Sequence, residues 1–154
     1  MKKSTAYIIP LLLCFAVGGL SAWAMRGALA GWYPYLVKPA LTPPNAAFPI
    51  AWSLLYVCIG VSAGLVLTSQ SEHRNAAVRI WLWQLALNFL WSILFFALHS
   101  PWAALTDIVI LDILIVIYMR QTALFRRAAM WLFVPYLCWT LYATYLNAGI
   151  ALAN

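Results

Sequence analysis

Charged residues are scarce in this chain, and acidic residues are the scarcest: Asp and Glu number three, against nine Lys and Arg. Charged side chains make up 8% of the 154 residues, whereas a soluble domain carries about 25%. Hydrophobic residues make up 66%, which is more than so small a globule could hide from water. The composition therefore excludes an ordinary soluble domain and indicates a membrane protein.

Groupings of reactive side chains are also missing. Cys14, Cys58 and Cys138 lie in separate apolar stretches and form no C-x-x-C pair, and the two histidines, His73 and His99, fall in different loops. The sequence therefore predicts no metal centre and no cofactor. No nucleophile–base constellation is visible, which weakens conventional enzymology. The basic residues form no stripe, so nucleic acid is not an expected partner.

Apolar windows of roughly 19 to 25 residues are abundant instead, and this is the length of a helix that crosses a bilayer. Alternating ten-residue strands, the mark of a membrane barrel, are absent. We therefore predict an all-α fold, an integral membrane bundle of five transmembrane helices in a single domain, 1–154. The five windows are Tyr7–Met25, Pro49–Thr68, Ile80–Leu98, Pro101–Met119 and Ala128–Leu152.

The first window has an alternative interpretation. Its basic start, apolar middle and A-x-A-like end are also typical of a signal peptide. The apolar run is long for a signal peptide, and the four later spans favour an uncleaved first helix.

The basic residues predict the orientation in the membrane. Five spans place Lys2, Lys3 and five arginines on one side, and Arg26 and Lys38 on the other. The positive-inside rule then predicts a cytoplasmic N-terminus and an outside C-terminus. A bacterial cell membrane is the expected location.

The first loop, residues 26–48, interrupts this apolar pattern. Pro39, Pro43 and Pro44 lie in it and Pro49 follows it, so φ is fixed at four positions and helix is disfavoured before each. We predict an extended, stiff segment that lies over the bundle as a lid.

The second window contains Gly60-x-x-x-Gly64, a spacing that lets helices approach closely in lipid. It predicts a packing seam inside the bundle, with a dimer interface as the alternative.

Aromatic residues form stripes on three windows. Trp52 and Tyr56 share a face of the second, and Asn88, Trp91 and Phe95 share a face of the third. A third face on the last window comprises Pro135, Trp139, Tyr142, Ala143 and Leu146. Aromatic walls with few polar groups suit a flat, apolar ligand; core packing is the alternative. Trp23, Trp32, Trp81, Trp102 and Trp131, near span ends, are typical of an interfacial belt.

Polar residues inside the spans must face protein, because exposure to lipid is costly. They are Gln84, Asn88, Asp107, Asp112 and Asn147. Asp107 and Asp112 are about 140° apart around one helix and make a poor catalytic pair. For Asp107 we predict a structural role, as a cap or in an inter-helix hydrogen bond.

Four motifs resemble the TspO/MBR family of tryptophan-rich sensory proteins and translocator proteins. They are "WYPYLVKPALTPP", "FPIAWSLLY", "QLALNFLWSILFF" and "VPYLCWTLYATYLN", and they follow one another over nearly the whole chain. The resemblance implies a five-helix bundle, often a homodimer, with a ligand cavity under the first loop. It implies as ligands porphyrins (protoporphyrin IX, haem), sterols, and isoquinoline carboxamides or benzodiazepines.

The family motifs also imply site residues. The stripes and motifs together give the candidate ligand-binding residues Trp52, Tyr56, Asn88, Trp91, Phe95, Trp139, Tyr142 and Ala143. The candidate lid residues are Trp32, Tyr33, Lys38, Pro39, Pro43 and Pro44. Trp52 and Trp139 match tryptophans that some members link to light-dependent porphyrin breakdown, and would be the catalytic residues in that case. The cholesterol motif of animal members is incomplete here.

Three function classes remain open from sequence. A receptor or carrier for tetrapyrroles is the preferred interpretation. The alternatives are a light-dependent porphyrin-degrading enzyme and an ion-coupled transporter of small molecules.

Overall fold

Five long helices form the protein in a computed structural model that describes residues 1–154. They are α1 (Lys3–Gly31), α2 (Ala47–Leu67), α3 (Arg74–Ser92), α4 (Pro101–Ala123) and α5 (Arg127–Ala153). A 3₁₀ turn, Tyr33–Tyr35, follows α1, and a π-helical segment, Ile93–Ala97, continues α3. The all-α prediction is confirmed.

Four helical stretches are long and apolar enough to cross a membrane: Lys3–Gly31, Ala47–Leu67, Arg74–Ala97 and Pro101–Ala123. The fifth helix, α5, has the length but is not among them, because its Tyr, Trp and Asn side chains lower its mean hydropathy. Large apolar side chains point outward on all five helices, for example Leu12, Leu54, Leu82, Ile113 and Leu141. Such a surface suits lipid, and the protein is an integral membrane protein.

The helices form a ring in which α1 packs on α2, α2 on α5, α5 on α4, α4 on α3, and α3 on α1. The centre of the ring is filled by fully buried side chains, including Ile59, Ile115, Tyr118, Phe133 and Tyr136. The five polar residues predicted to face protein, Gln84, Asn88, Asp107, Asp112 and Asn147, are all buried.

The glycine pair of α2 packs against α1. A Cβ on Gly60 would lie 3.0 Å from the backbone Cα of Leu11, and a Cβ on Gly64 would run into the ring of Tyr7. The absence of side chains at these two positions therefore lets α1 and α2 touch. The predicted internal packing seam is confirmed.

Two boundaries differ from the sequence-based prediction. Helix α1 continues to Gly31, so the first loop comprises residues 32–46 and is shorter than predicted. The third span changes to π-helix at Ile93, where the Leu98 N–H donates to the Ile93 carbonyl five residues back, at 2.9 Å. A hydrophobic pattern cannot reveal this change, because every residue from 93 to 98 is apolar.

The tryptophan belt is only partly as predicted. Trp23, Trp102 and Trp131 are exposed on the outer surface. Trp81 is instead buried, and its indole Nε1 donates to the Ile59 carbonyl at 3.0 Å. Trp32 is half-buried and stacks on His99, with ring centroids 4.3 Å apart. Proximity to a span end does not distinguish an exposed tryptophan from a buried one.

Candidate ligand-binding cavity

A cavity of about 490 Å³ lies between α1, α2 and α3, below the first loop. Its volume falls in the usual range of small-molecule sites. The first loop contributes Tyr33 and Asn45, α2 contributes Phe48, Pro49, Trp52, Ser53 and Tyr56, and α3 with its π-helical end contributes Asn88, Trp91, Ser92 and Phe96. The wall on α1 comprises Phe15, Gly18, Gly19, Ser21, Ala22, Met25, Arg26 and Leu29.

Aromatic rings form most of the cavity surface opposite α1. The Trp52 and Tyr56 rings lie one turn apart on α2, with centroids 5.5 Å apart. The Trp91 and Phe96 rings meet edge to face at 5.9 Å. Such flat, weakly hydrated walls favour a ligand that is itself planar and apolar.

A chain of hydrogen bonds leads from the cavity into the core. The Tyr56 hydroxyl donates to Asn88 Oδ1 at 3.0 Å, and Asn88 Nδ2 donates to the Tyr136 hydroxyl at 2.9 Å. The Tyr136 hydroxyl in turn donates to Gln84 Oε1 at 2.8 Å. Asn88 therefore joins α2, α3 and α5, and its amide plane is fixed by two partners before any ligand arrives.

A second set of hydrogen bonds fixes Trp91. Its indole Nε1 donates to Asn147 Oδ1 at 2.9 Å, and Asn147 Nδ2 donates to the Pro101 carbonyl at 2.8 Å. The Trp91 ring also stacks on Phe95, with centroids 5.3 Å apart. The orientation of this cavity ring is thus set by α5 and by the start of α4.

The π-helical segment decides which phenylalanine reaches the cavity. A π-turn contains more residues than an α-turn, so the side chains after Ser92 are rotated relative to a continuous α-helix. Phe96 lines the cavity, whereas Phe95 lies behind it, against Trp32 at 5.6 Å and Tyr33 at 6.5 Å. The placement of Phe95 on the wall, which assumed an unbroken α-helix, is therefore not what the structure shows.

The α5 candidates do not line this cavity. Trp139 lies behind Trp52, edge to face with ring centroids 6.5 Å apart. Ala143 is buried against the core, and the Tyr142 hydroxyl donates to the Leu41 carbonyl of the first loop. Periodicity showed correctly that these residues share a region of α5, but α2 stands between that region and α1.

The first loop is fixed by contacts with the C-terminal half of α5 and with Asn154, which follows it. The Val37 N–H donates to Asn154 Oδ1 at 3.0 Å, and Asn154 Nδ2 donates back to the Val37 carbonyl at 2.9 Å. The Tyr145 hydroxyl donates to the Ala40 carbonyl at 2.8 Å. Pro39 lies on Gly149, where a Cβ would approach the proline ring to 2.8 Å. These contacts, with the prolines, account for a fixed loop.

Of the six lid candidates, only Tyr33 reaches the cavity. Burial raises its pKa, with the nearby Tyr142 phenol as a smaller cause. The Lys38 ammonium lies 4.7 Å from the centroid of the Tyr33 ring and donates to the Pro34 and Leu36 carbonyls. The other lid candidates do not line the cavity. Trp32 stacks on His99, and Pro39 packs on Gly149. Pro43 is half-buried, and Pro44 is exposed, with its carbonyl accepting a hydrogen bond from the Ala47 N–H.

The α1 wall is the part of the site that the sequence-based prediction missed. A signal was present: Phe15, Ala22 and Leu29 are spaced by seven, and Gly18 and Met25 repeat that spacing one turn along. Gly18 has a direct purpose, because a Cβ there would lie 2.7 Å from the Tyr56 ring. Because α1 has few aromatic residues, a search for aromatic stripes does not identify this face as a cavity wall.

The two intramembrane aspartates differ in their partners. Asp112 Oδ2 accepts a hydrogen bond from the Thr144 hydroxyl at 2.7 Å. Neither carboxyl oxygen of Asp107 has a hydrogen-bond partner, although the residue is buried. The predicted cap or inter-helix bond is therefore not made by Asp107. Neither residue lines the cavity.

Comparison with known proteins gives one consistent result. The model of the TspO/MBR family matches residues 10–153. The chain is 39% identical over 144 residues to Tryptophan-rich protein TspO of Chlorobaculum tepidum, covering 92% of this chain and 91% of that protein. It is 35% identical over 140 residues to Tryptophan-rich sensory protein of Cereibacter sphaeroides, with 89% and 87% covered. It is 31% identical over 137 residues to Translocator protein of Sus scrofa, with 84% and 79% covered.

Proposed function

This chain belongs to the TspO/MBR family, and from that premise we propose that it is a membrane receptor or carrier for porphyrins such as protoporphyrin IX and haem, and for other flat apolar molecules such as sterols. Isoquinoline carboxamides and benzodiazepine-type compounds would occupy the same cavity. The names of its relatives support a receptor or sensor role. The ligand itself is part of the proposal.

The observation that carries the proposal is the cavity under the first loop. Trp52, Tyr56, Trp91 and Phe96 give it aromatic walls. Among its few polar groups, Asn88 is held in place by hydrogen bonds with Tyr56 and Tyr136. Planar rings would stack on such walls, and a carbonyl or hydroxyl of the ligand would reach the Asn88 amide.

The direct test is titration of the purified protein with protoporphyrin IX in darkness, with tryptophan fluorescence as the signal. Saturable quenching is expected. Trp52→Phe should weaken binding modestly, because much of the ring area survives. Trp131→Phe is the matched control, since Trp131 is exposed on the outer surface. Quenching that never saturates, or that is equal in both variants and the parent, would contradict the proposal.

A second candidate function, light-dependent porphyrin degradation, is favoured by the pair of indoles. Trp52 lies on the cavity wall and Trp139 directly behind it. An indole is far easier to oxidise than a benzene ring, so Trp139→Phe should leave dark affinity unchanged but abolish light-dependent loss of porphyrin absorbance. Bleaching that is insensitive to both Trp→Phe changes would leave binding as the function.

A homodimer is part of the proposal as well. Because Gly60 and Gly64 are covered by α1, the dimer interface would have to use another face of the bundle. Light scattering of the purified protein in detergent would give the mass of the complex. A mass of one chain per particle would remove the dimer from the proposal.

A further inference from the structure

The cavity wall carries a single charged side chain, Arg26. Arg26 lies five residues before the end of α1, at the end of the bundle that carries the first loop. Asn45, which precedes α2, also lines the cavity at this end. The wall between this end and Tyr56 is formed mainly by aromatic rings and small residues. One cation therefore stands at the loop end of an otherwise neutral cavity.

Arg26 has no acidic partner in the chain. Of the three acidic residues, Glu72 lies in the loop between α2 and α3, and Asp107 and Asp112 lie on α4. Glu72 Oε1 lies 3.8 Å from His73 Nε2, and no acidic side chain lies within 4 Å of the Arg26 guanidinium. The guanidinium of Arg26 lies 5.5 Å from the centroid of the Trp23 ring. Its N–H groups make no hydrogen bond to the protein, so they can donate to an anion.

The other basic residue at this end is already occupied. The Lys38 ammonium lies over Tyr33 and donates to two carbonyls of the first loop, and Lys38 does not line the cavity. Of the two cations, Arg26 alone is in position to meet a ligand.

Ser21 is a buried residue of the α1 wall and lies farther from the first loop than Arg26 does. Its Oγ is buried, lines the cavity and lies near the Tyr56 hydroxyl. Arg26 is five positions after Ser21, which is about 7.5 Å along the helix axis. Tyr56 and Asn88 line the same buried region.

We propose that Arg26 binds an acid group of the ligand at the loop end of the cavity, and so lets the site distinguish an acid from the ester of the same ring. The apolar body of the ligand stacks on Trp52 and Trp91, which line the cavity. A carboxylate is bound by two N–H donors of the guanidinium. This inference rests on the proposed function of the same cavity, and adds the residue that binds the ligand's acid group.

The test compares protoporphyrin IX, a dicarboxylic acid, with its dimethyl ester, which has the same ring without the charges. Dissociation constants are measured in the dark, in a phosphate-free buffer and an uncharged maltoside detergent. The variants are Arg26→Gln, which removes the charge, and Arg26→Lys, which keeps it. Arg79→Gln is the matched control, because Arg79 is an exposed helical arginine outside the cavity.

The parent should bind the acid about tenfold more tightly than the ester. This affinity difference is at the low end of what a hydrogen bond to a charged group contributes, because Arg26 is exposed to solvent. Arg26→Gln should abolish this preference by weakening the acid alone, and Arg26→Lys should retain part of it. Arg79→Gln should bind both compounds as the parent does.

Equal binding of acid and ester by the parent would overturn the inference while leaving the proposed function intact. This part of the test uses the parent protein alone. A preference that survives in Arg26→Gln would overturn it too. If Arg26 holds a lipid phosphate instead, Arg26→Gln will keep the acid preference and lose only the thermal stabilisation by phosphatidylglycerol. Failure of both porphyrins to bind saturably would refute the proposed function together with the inference.

Discussion

Replacing Asn88 by leucine tests the centre of the site, because this one side chain serves both the bundle and the cavity. The substitution removes the acceptor of the Tyr56 hydroxyl and one donor to the Tyr136 hydroxyl. Tyr136 keeps its bond to Gln84 Oε1, so Tyr56 loses most. Leucine branches at Cγ as asparagine does and is larger, so the substitution leaves no cavity.

The magnitude follows from the number of groups left without partners. One buried hydroxyl without a partner costs about 1–3 kcal/mol in soluble proteins. Inter-helix hydrogen bonds in membrane bundles average about 0.6 kcal/mol, with a maximum of about 1.7. We therefore expect Asn88→Leu to destabilise the bundle by about 1–2 kcal/mol, and to weaken a carbonyl-bearing ligand by about 1 kcal/mol or somewhat more.

Tyr56→Phe separates the two effects. It removes the hydroxyl that Asn88→Leu would strand, so Asn88→Leu should cost less stability in the Tyr56→Phe background than in the parent. The loss of ligand affinity should persist in that background, since it comes from the Asn88 amide itself. Thermal unfolding in detergent and dark titration with a carbonyl-bearing ligand supply the two measurements. Unchanged stability in the single variant would refute the hydrogen-bond chain, and unchanged affinity in a folded protein would make Asn88 purely structural.

Three further predictions concern the helices and the first loop. Gly64→Ala should destabilise the bundle by about 1–3 kcal/mol through overpacking against Tyr7, whereas Gly27→Ala, with open space at its Cβ, should not; equal melting temperatures would contradict the α1–α2 seam. Asn154→Ala removes both bonds to Val37 and should speed hydrogen exchange at the Val37 amide roughly 2- to 10-fold; an unchanged rate would mean that Tyr142, Tyr145 and the prolines suffice. Single cysteines introduced at positions 3 and 153 of a cysteine-free chain should be labelled from opposite sides, the first from the cytoplasm; labelling from one side would refute five spans.

The fold and half of the candidate site could be predicted from local pattern. Long apolar windows with buried polar positions require helices, because backbone groups in lipid must be paired within the segment. Trp52, Tyr56, Asn88 and Trp91 lie together on the cavity wall, and periodicity placed each pair on one face. The spacing of Gly60 and Gly64 alone predicts a close contact between two helices.

The remaining features depended on which helix stands beside which, and this is not encoded in the period of any one segment. Trp139 and Ala143 lie outside the cavity because α2 comes between α5 and α1. Phe96, and not Phe95, lines the cavity because the chain changes to π-helix at Ile93. The hydrophobic pattern of an all-apolar stretch does not distinguish a π-helix from an α-helix. Arg26 and Ser21 gain their importance only because α1 closes the ring against α2 and α3. Sequence determined the faces of the helices; tertiary packing decided which faces meet, since that choice depends on contacts between residues distant in the chain.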